Sequence, residues 1–297
     1  MAKPKATLSQ QLIKVRLSQG FPTFEVKDDI TNREVSSDKG SKADATKFIV
    51  KLVNGSESYK RAQYLKGQLY LYYLSVTSPW EDRGARMMLG AHALETMEEL
   101  RQMRTEAEEA ADTFCNDEYP DIYEKAVFQS GMGGNGLGTL ASRVIDKYPL
   151  PSDVRSKFYN SIIVEPMGEV ETLRRFGEVF TEQDLSEYEQ MLESRMQQAQ
   201  TDAWKKLAEP LDALIKKCAS ATDKNVWHES LVQNVRDIVC LVDRINVQND
   251  PTLKALAVDA VQMLNGVDKD TLKFDDVVRS ETRAKAEALM ARMSGYL

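Results

Sequence analysis

The chain has 297 residues, 39 Lys and Arg against 46 Asp and Glu, a formal net charge of −7 and 42% hydrophobic residues. That is enough apolar material to bury a core, which excludes a disordered chain, and the length allows one or two domains. No apolar run approaches the roughly 18 to 20 residues of a membrane span, and the start MAKPKATLSQQ has no hydrophobic signal core, so a soluble, cytoplasmic protein is expected.

Near the N-terminus Ile13, Val15 and Leu17 alternate with Lys14 and Arg16, and Phe48, Val50 and Leu52 alternate with Ile49 and Lys51. This period of two predicts two half-buried strands, expected to pair with each other. A weaker strand signal lies at Thr23 to Ile30. Asn32 to Thr46, rich in Ser, Asp, Lys and Gly, predicts a mobile loop.

From Ser56 the period becomes helical, with Tyr59, Ala62, Leu65, Leu69, Tyr72, Tyr73 and Val76 on one face, stopping before Pro79. A longer helix is predicted from about Arg83 to Phe114, apolar through Met87, Met88, Ala91, Leu94, Met97 and Leu100, then acidic through Glu106, Glu108, Glu109 and Asp112. Glu118 to Gln129 predicts a short amphipathic helix, followed by the glycine-rich stretch Gly131 to Gly138 and a helix around Thr139 to Lys147. Phe158, Ile162, Ile163 and Val164 point to a short strand or buried loop.

Beyond it the chain reads as entirely helical. Thr181 with Asp184 resembles a capping box opening a helix that runs toward Cys218, which Pro210 should kink or divide. Further helices are expected at about Asn225 to Asn246, Pro251 to Leu264 and Ser280 to Met293. The expected fold class is α+β, predominantly helical: a small N-terminal antiparallel sheet of two or three strands, long antiparallel helices and a C-terminal helical bundle. The expected divisions are a β module over 1–55, a helical hairpin region over 56–147 and a helical region over 148–297, or one continuous domain.

Charge is uneven along this order. Residues 1–66 hold thirteen basic and seven acidic residues, a net +6, which leaves −13 on the remaining 231. The basic part interleaves Lys14, Arg16, Lys47, Lys51, Lys60 and Arg61 with Phe21, Phe24, Phe48, Tyr59, Tyr64, Tyr70 and Tyr72. Cations beside rings are the materials of a single-stranded nucleic-acid platform, in which bases stack and phosphates meet charge. Set against this, Tyr59 to Tyr73 are at core-helix spacing.

No catalytic, cofactor or metal residues are assigned. Gly131-Met-Gly133-Gly134-Asn-Gly136 satisfies G-x-G-x-x-G, but the segment before it reads as a helix instead of a core strand, so a hinge or interaction loop is the better reading. His92 and His228 have no ligand partner at helical spacing. Cys115, Cys218 and Cys240 are odd in number and far apart, which fits neither a disulfide framework nor a metal cluster and suggests a reducing compartment. The carboxylates between Glu95 and Asp112 lack the Glu-x-x-His elements of a di-metal bundle and read as a solvated face. Pro79-Trp80-Glu81-Asp82-Arg83-Gly84-Ala85-Arg86 is a compact corner between two helices. There Asp82 would cap the next helix and Trp80 would close the core, or Trp80, Asp82, Arg83 and Arg86 would anchor a partner.

This corner, the two-strand start, Tyr148-Pro149, Lys157-Phe158, Glu165-Pro166, Ser230 to Asn234, Ile245-Asn246 and Asn249-Asp250-Pro251 occur in order over most of the chain. Together they resemble a family of uncharacterised bacteriophage and prophage proteins, often encoded beside a MoxR-type AAA+ ATPase and a von Willebrand factor A protein. Gly131 to Gly138 falls outside the resemblance. What the resemblance implies is a role without a reaction: a non-enzymatic adaptor acting with the ATPase and the A-domain protein in remodelling a target, with self-association possible. A phage single-stranded nucleic-acid-binding or recombination protein and an inhibitor of a host protein are the alternatives.

Overall fold

The computed structural model describes residues 12–40, 42, 47–80, 84–128, 140–167, 173–174, 179–220 and 226–297. It is α+β and predominantly helical, with small antiparallel sheets and C-terminal helices. The strands are β1 (Leu12–Gly20), β2 (Glu25–Lys27), β3 (Ile49–Lys51), β4 (Ser78–Pro79), β5 (Arg86–Leu89) and β6 (Tyr159–Pro166). The helices are α1 (Asp29–Asp38), α2 (Glu57–Val76), α3 (Ala93–Thr113), α4 (Tyr119–Phe128), α5 (Ala141–Val144), α6 (Pro151–Val154), α7 (Glu182–Ala219), α8 (Ser230–Ile245), α9 (Pro251–Met263), α10 (Lys269–Phe274) and α11 (Asp276–Met293). A π turn, Phe114–Glu118, joins α3 to α4. No helix among the described residues is long and apolar enough to cross a membrane.

The strand signals are correct but their expected pairing is not. β1 pairs with β5, Leu12 opposite Leu89 and Val15 opposite Arg86, while β3 pairs with β2, Lys51 opposite Glu25. One sheet thus has four strands in the order β4-β5-β1-β6 and the other has two, more strands than the two or three expected. β6 runs antiparallel to β1, as Lys14 meets Glu165 at 3.6 Å and Gln19 bonds Asn160 at 2.8 Å. The helix expected from Arg83 begins only at Ala93. Met87 and Met88 point to opposite faces of β5 and are both buried, so an apolar run that suited a helix serves a strand covered on both sides.

Two compact units divide the chain, and the divisions fall inside β1, α2, α3 and β6. One comprises the described residues of 1–16, 72–97 and 163–297. Its main core is the C-terminal bundle. α8 buries Val232, Val235, Ile238, Val242 and Ile245 at helical spacing against Leu207, Leu211 and Leu214 of α7 and Leu253 and Leu256 of α9. Thr181 opens α7 through the reciprocal bonds of a capping box, its hydroxyl accepting from the Asp184 N–H and Asp184 accepting from the Thr181 N–H. Of the two effects expected of Pro210, division does not occur: α7 is continuous over 38 residues. Leu207, Ala208, Leu211 and Leu214 around it are buried, and their packing outweighs the one backbone bond that proline cannot make.

The other unit comprises residues 17–71 and 98–162 and is built on rings. Phe24 lies 5.3 Å from Tyr119 and 5.6 Å from Phe114, and Phe21 lies 5.0 Å from Phe158, centroid to centroid. Each buried tyrosine hydroxyl finds a carbonyl: Tyr59 donates to Pro22, Tyr119 to Pro149 and Tyr148 to Leu52. α1 begins at the end of the weak strand signal and occupies the first part of the segment expected to be a loop, through Asp38. Asp28 caps it by accepting from the Ile30 and Thr31 N–H groups, and the helix buries Asn32 and Ser36 while Ile30 and Val35 are exposed.

Two predictions follow from these contacts. A Cβ at Gly20 would clash with Cε1 of Tyr159 and lie 2.9 Å from the Lys157 carbonyl oxygen, so Gly20→Ala should cost about 2 kcal/mol in urea unfolding, and pairing it with Tyr159→Ala should recover only part. The Asp28 carboxyl is held below its ordinary 3.8, first by the Thr31 hydroxyl, then by the backbone donors and Arg143, against the opposing effect of burial. With the folded value depressed, this cap stabilises above the ordinary pKa and its contribution is lost as pH falls through the folded one. Asparagine can still cap, but it loses the charge that faces the helix N-terminus and Arg143, so Asp28→Asn should be less stable than the parent by up to about 1 kcal/mol at neutral pH. Their urea midpoints should converge below pH 3.8, whereas a gap independent of pH would exclude the carboxylate as its source.

Candidate functional site

The residues around Trp80 form a groove. α2 ends at Val76, β4 follows at once, and the Trp80 N–H donates to the Ala85 carbonyl at 3.2 Å, closing a tight return into β5. Trp80 is buried to 7% exposure among Leu12, Ala85, Met87, Met167, Ala199 and Val247. Above this layer opens a cavity of about 560 Å³ with Leu12, Trp80, Met167, Leu192 and Met196 as its apolar lining. Glu189 and Glu193, one turn apart on α7, stand at its margin with Gln197 and Gln248. Both glutamates are exposed, and neither has an ion-pair partner among the described residues. The volume is that of a site able to take several side chains of a partner or a small apolar molecule.

Beside the groove is a buried cationic cluster. The last carbonyls of α2 have no cation in their own last turn. They are served by Lys206 of α7, whose Nζ donates to the carbonyls of Leu74 at 2.8 Å, Ser75 at 3.4 Å and Thr77 at 2.8 Å. Arg86 joins it, donating to the Thr77 hydroxyl at 2.7 Å and the Thr77 carbonyl at 2.6 Å. Burial pulls the Lys206 ammonium below its ordinary pKa, Asp202 at 3.2 Å opposes that shift, and the charge of Arg86 adds to it. Arg86, named as a partner anchor on sequence grounds, thus bonds the end of α2. Asp82, Arg83, Gly131, Gly133, Gly134 and Gly136 lie outside the described residues.

The six cations considered for nucleic acid fall in different units: Lys14 and Arg16 in one, Lys47, Lys51, Lys60 and Arg61 in the other. Lys14 pairs with Glu165 at 3.6 Å and Lys60 with Glu57 at 2.8 Å, Lys51 is the strand partner of Glu25, and Arg16, Lys47 and Arg61 are exposed. Of the rings, Phe21, Phe24, Phe48 and Tyr59 belong to the aromatic core, and the Tyr72 hydroxyl accepts from Arg244 at 2.6 Å. Only Tyr64 and Tyr70 offer exposed faces. A polar cleft of about 320 Å³ does place Lys51 and Lys60 beside the N-terminus of α2. The anion position there is taken by the Glu118 carboxylate, which accepts from the hydroxyl of Ser56 and the backbone N–H of Ser58. Burial pushes the Glu118 carboxyl up, and the hydrogen bonds from Ser56 and Ser58 more than offset this, leaving it below its ordinary value.

Cys115 and Cys218 are buried and their thiols are raised by burial, Cys115 to about 11, the opposite of what a thiolate nucleophile requires. Cys240 is exposed on α8. Among the described residues no three His, Cys, Asp or Glu side chains are grouped as metal ligands.

Sequence reasoning reached Trp80 but missed the lining from α7. Leu192 and Met196 were visible as apolar positions, yet their spacing is the same whether they face a core or a groove. Lys206 left little signal: it stands with Lys205 between Trp204 and Leu207, and nothing in the sequence says which of the two turns inward. No protein family, no curated protein and no solved structure matches the chain.

Replacing Lys206 with Met keeps the length of the stem and removes the donors. Lys206→Met should cost about 2 to 3 kcal/mol in urea unfolding, because buried carbonyls and Asp202 lose their cation. A loss within ~0.5 kcal/mol, the range of an ordinary surface change, would show that Arg86 suffices alone.

Proposed function

We propose that the protein is a non-enzymatic interaction module whose Trp80 groove receives an apolar, positively charged segment of a protein partner. The observation that carries this reading is the union, in one cavity of about 560 Å³, of an apolar lining with two exposed glutamates that have no ion-pair partner among the described residues. Trp80 offers a large rigid anchor surface and the methionines Met167 and Met196 an adaptable one. Glu189 and Glu193 select by charge, attracting Lys or Arg and repelling acidic segments. The groups with shifted pKa values, Lys206 beside the groove included, each hold a core, a helix end or an ion pair in place, which favours binding over chemistry there. The resemblance to phage and prophage proteins encoded beside a MoxR-type AAA+ ATPase and an A-domain protein makes a remodelling adaptor the concrete form of this role, with those two proteins as the first partners to try. Inhibition of a host protein would use the same groove and differ only in the partner. The single-stranded nucleic-acid reading draws less support, because most of its rings are packed in a core.

The test uses two synthetic helical peptides of one apolar pattern, one with Lys at every polar position and one with Glu. The Lys peptide should bind and shift the emission of Trp80, with the signal lost in Trp80→Phe, while the Glu peptide should not bind. The pair Glu189→Lys and Glu193→Lys should reverse the preference, with a change of about tenfold in each affinity. Binding of neither peptide, or equal binding of both to parent and variant, would overturn the proposal.

A further inference from the structure

The two edges of the four-stranded sheet are treated differently. β4 is two residues long and ends in Pro79, a short edge that offers another strand little to pair with. β6, at the other edge among the described residues, is eight residues long, Tyr159–Pro166, and nearly all of it is exposed. Tyr159, Ile163 and Val164 are 52%, 46% and 44% exposed. The strand itself carries few edge guards: there is no lysine, proline stands only at the last position, and the single charge, Glu165, is matched by Lys14 at 3.6 Å. The strands of the two-stranded sheet, by contrast, are three residues each and carry Glu25, Lys27 and Lys51.

We propose that the free edge of β6 is a self-association surface, on which β6 of a second copy adds antiparallel to continue the sheet. The free main-chain groups of an edge call for an extended strand, and the side chains of β6 are complementary to β6 itself. An antiparallel pair about a two-fold axis places equal residues opposite each other at its centre. Centred on Ile163, the pairing sets Ile163 against the partner's Ile163 and Ile162 against the partner's Val164. Glu165 then faces the partner's Ser161, so no like charges meet. Apolar β-branched pairs of this kind are the stabilising unit of a sheet. A chain of net charge −7 repels its own copies over most of its surface, and a strand whose only charge is neutralised by Lys14 is where two copies approach at least cost. This inference is independent of the groove.

Residues opposite each other in an antiparallel pair have Cα atoms about 4.5 to 5.5 Å apart, within the reach of a disulfide. In a Cys240→Ala background, where the remaining Cys115 and Cys218 are buried, Ile163→Cys should cross-link into a dimer on mild oxidation. Asn160→Cys, which faces the partner's Pro166, should not. By sedimentation equilibrium the parent should approach twice its 33.5 kDa at high micromolar concentration, and Ile163→Lys should remain a monomer with an unchanged circular-dichroism spectrum. A parent that stays monomeric, an Ile163→Lys protein that still dimerises, or equal cross-linking at positions 163 and 160 would overturn the proposal. If Ile163→Lys fails to fold, the cysteine pair decides alone.

Discussion

A twenty-residue helix with no cation in its last turn leaves carbonyls that must be satisfied from elsewhere, and in this protein Lys206 and Arg86 do it. That requirement ties three parts of the sequence together. Lys206 fixes the middle of α7 at the end of α2, and Arg86 fixes the start of β5 at the same carbonyls. Trp80 lies on the short return between β4 and β5, so its place is set by the same bonds. Leu192 and Met196 lie two to four turns before Lys206 on α7 and are brought to the indole by that anchoring. The groove is therefore a consequence of how α2 is finished, and the lysine that finishes it is held by three carbonyls and an aspartate against the cost of its own burial.

The aromatic core shows the same economy of polar groups in the other unit. Its rings are amphipathic, and each buried hydroxyl is spent on a loop carbonyl, which fixes Pro22, Leu52 and Pro149 without further secondary structure. Glu118 spends its carboxylate on Ser56 and Ser58 at the start of α2. Within residues 1–66 several cations find acids of the same segment, Lys60 with Glu57 and Lys27 with Asp29, with Glu25 set beside Lys51. Those acids are already counted in the net +6, whereas Lys14 is met by an acid from outside the segment, Glu165 at 3.6 Å. Glu189 and Glu193, in the acidic remainder, have no ion-pair partner among the described residues.

How much of this was legible depended on whether hydrophobic period and burial agreed. They agree in α8, where Val232 through Ile245 recur at helical spacing and are all buried, and at Thr181 and Asp184, where capping chemistry is local. They disagree in α1, which buries Asn32 and Ser36 and exposes Ile30 and Val35, so a pattern search reads a loop where Asp28 in fact starts a helix. They disagree again in β5, too short for a period and buried on both faces. Strand partners were illegible for a different reason: β1 and β3 carry equivalent alternation, and only tertiary context assigns β5 to the first and β2 to the second. Trp80 was legible because a tryptophan beside a proline must be buried or used, but the face of α7 that completes its groove is set by the Lys206 anchor, a long-range bond that leaves no periodic trace.

The displaced titrations follow the elements that the titrating groups hold in place. Burial raises the thiols of Cys115 and Cys218 and the Tyr119 phenol, keeping each neutral in the core, while hydrogen bonds lower the Asp28, Asp184 and Asp268 carboxyls, keeping each charged at a helix start. Both directions make those groups poor at exchanging protons near neutrality, and each is explained by the element it holds. A reaction centre gathers shifted groups of opposing tendency around one cavity. Here they are dispersed over caps, cores and the end of α2, and the groove at Trp80 sets an apolar lining beside the exposed carboxylates of Glu189 and Glu193. Hydrocarbon and charge placed together in this way are the elements on which the proposed binding role rests.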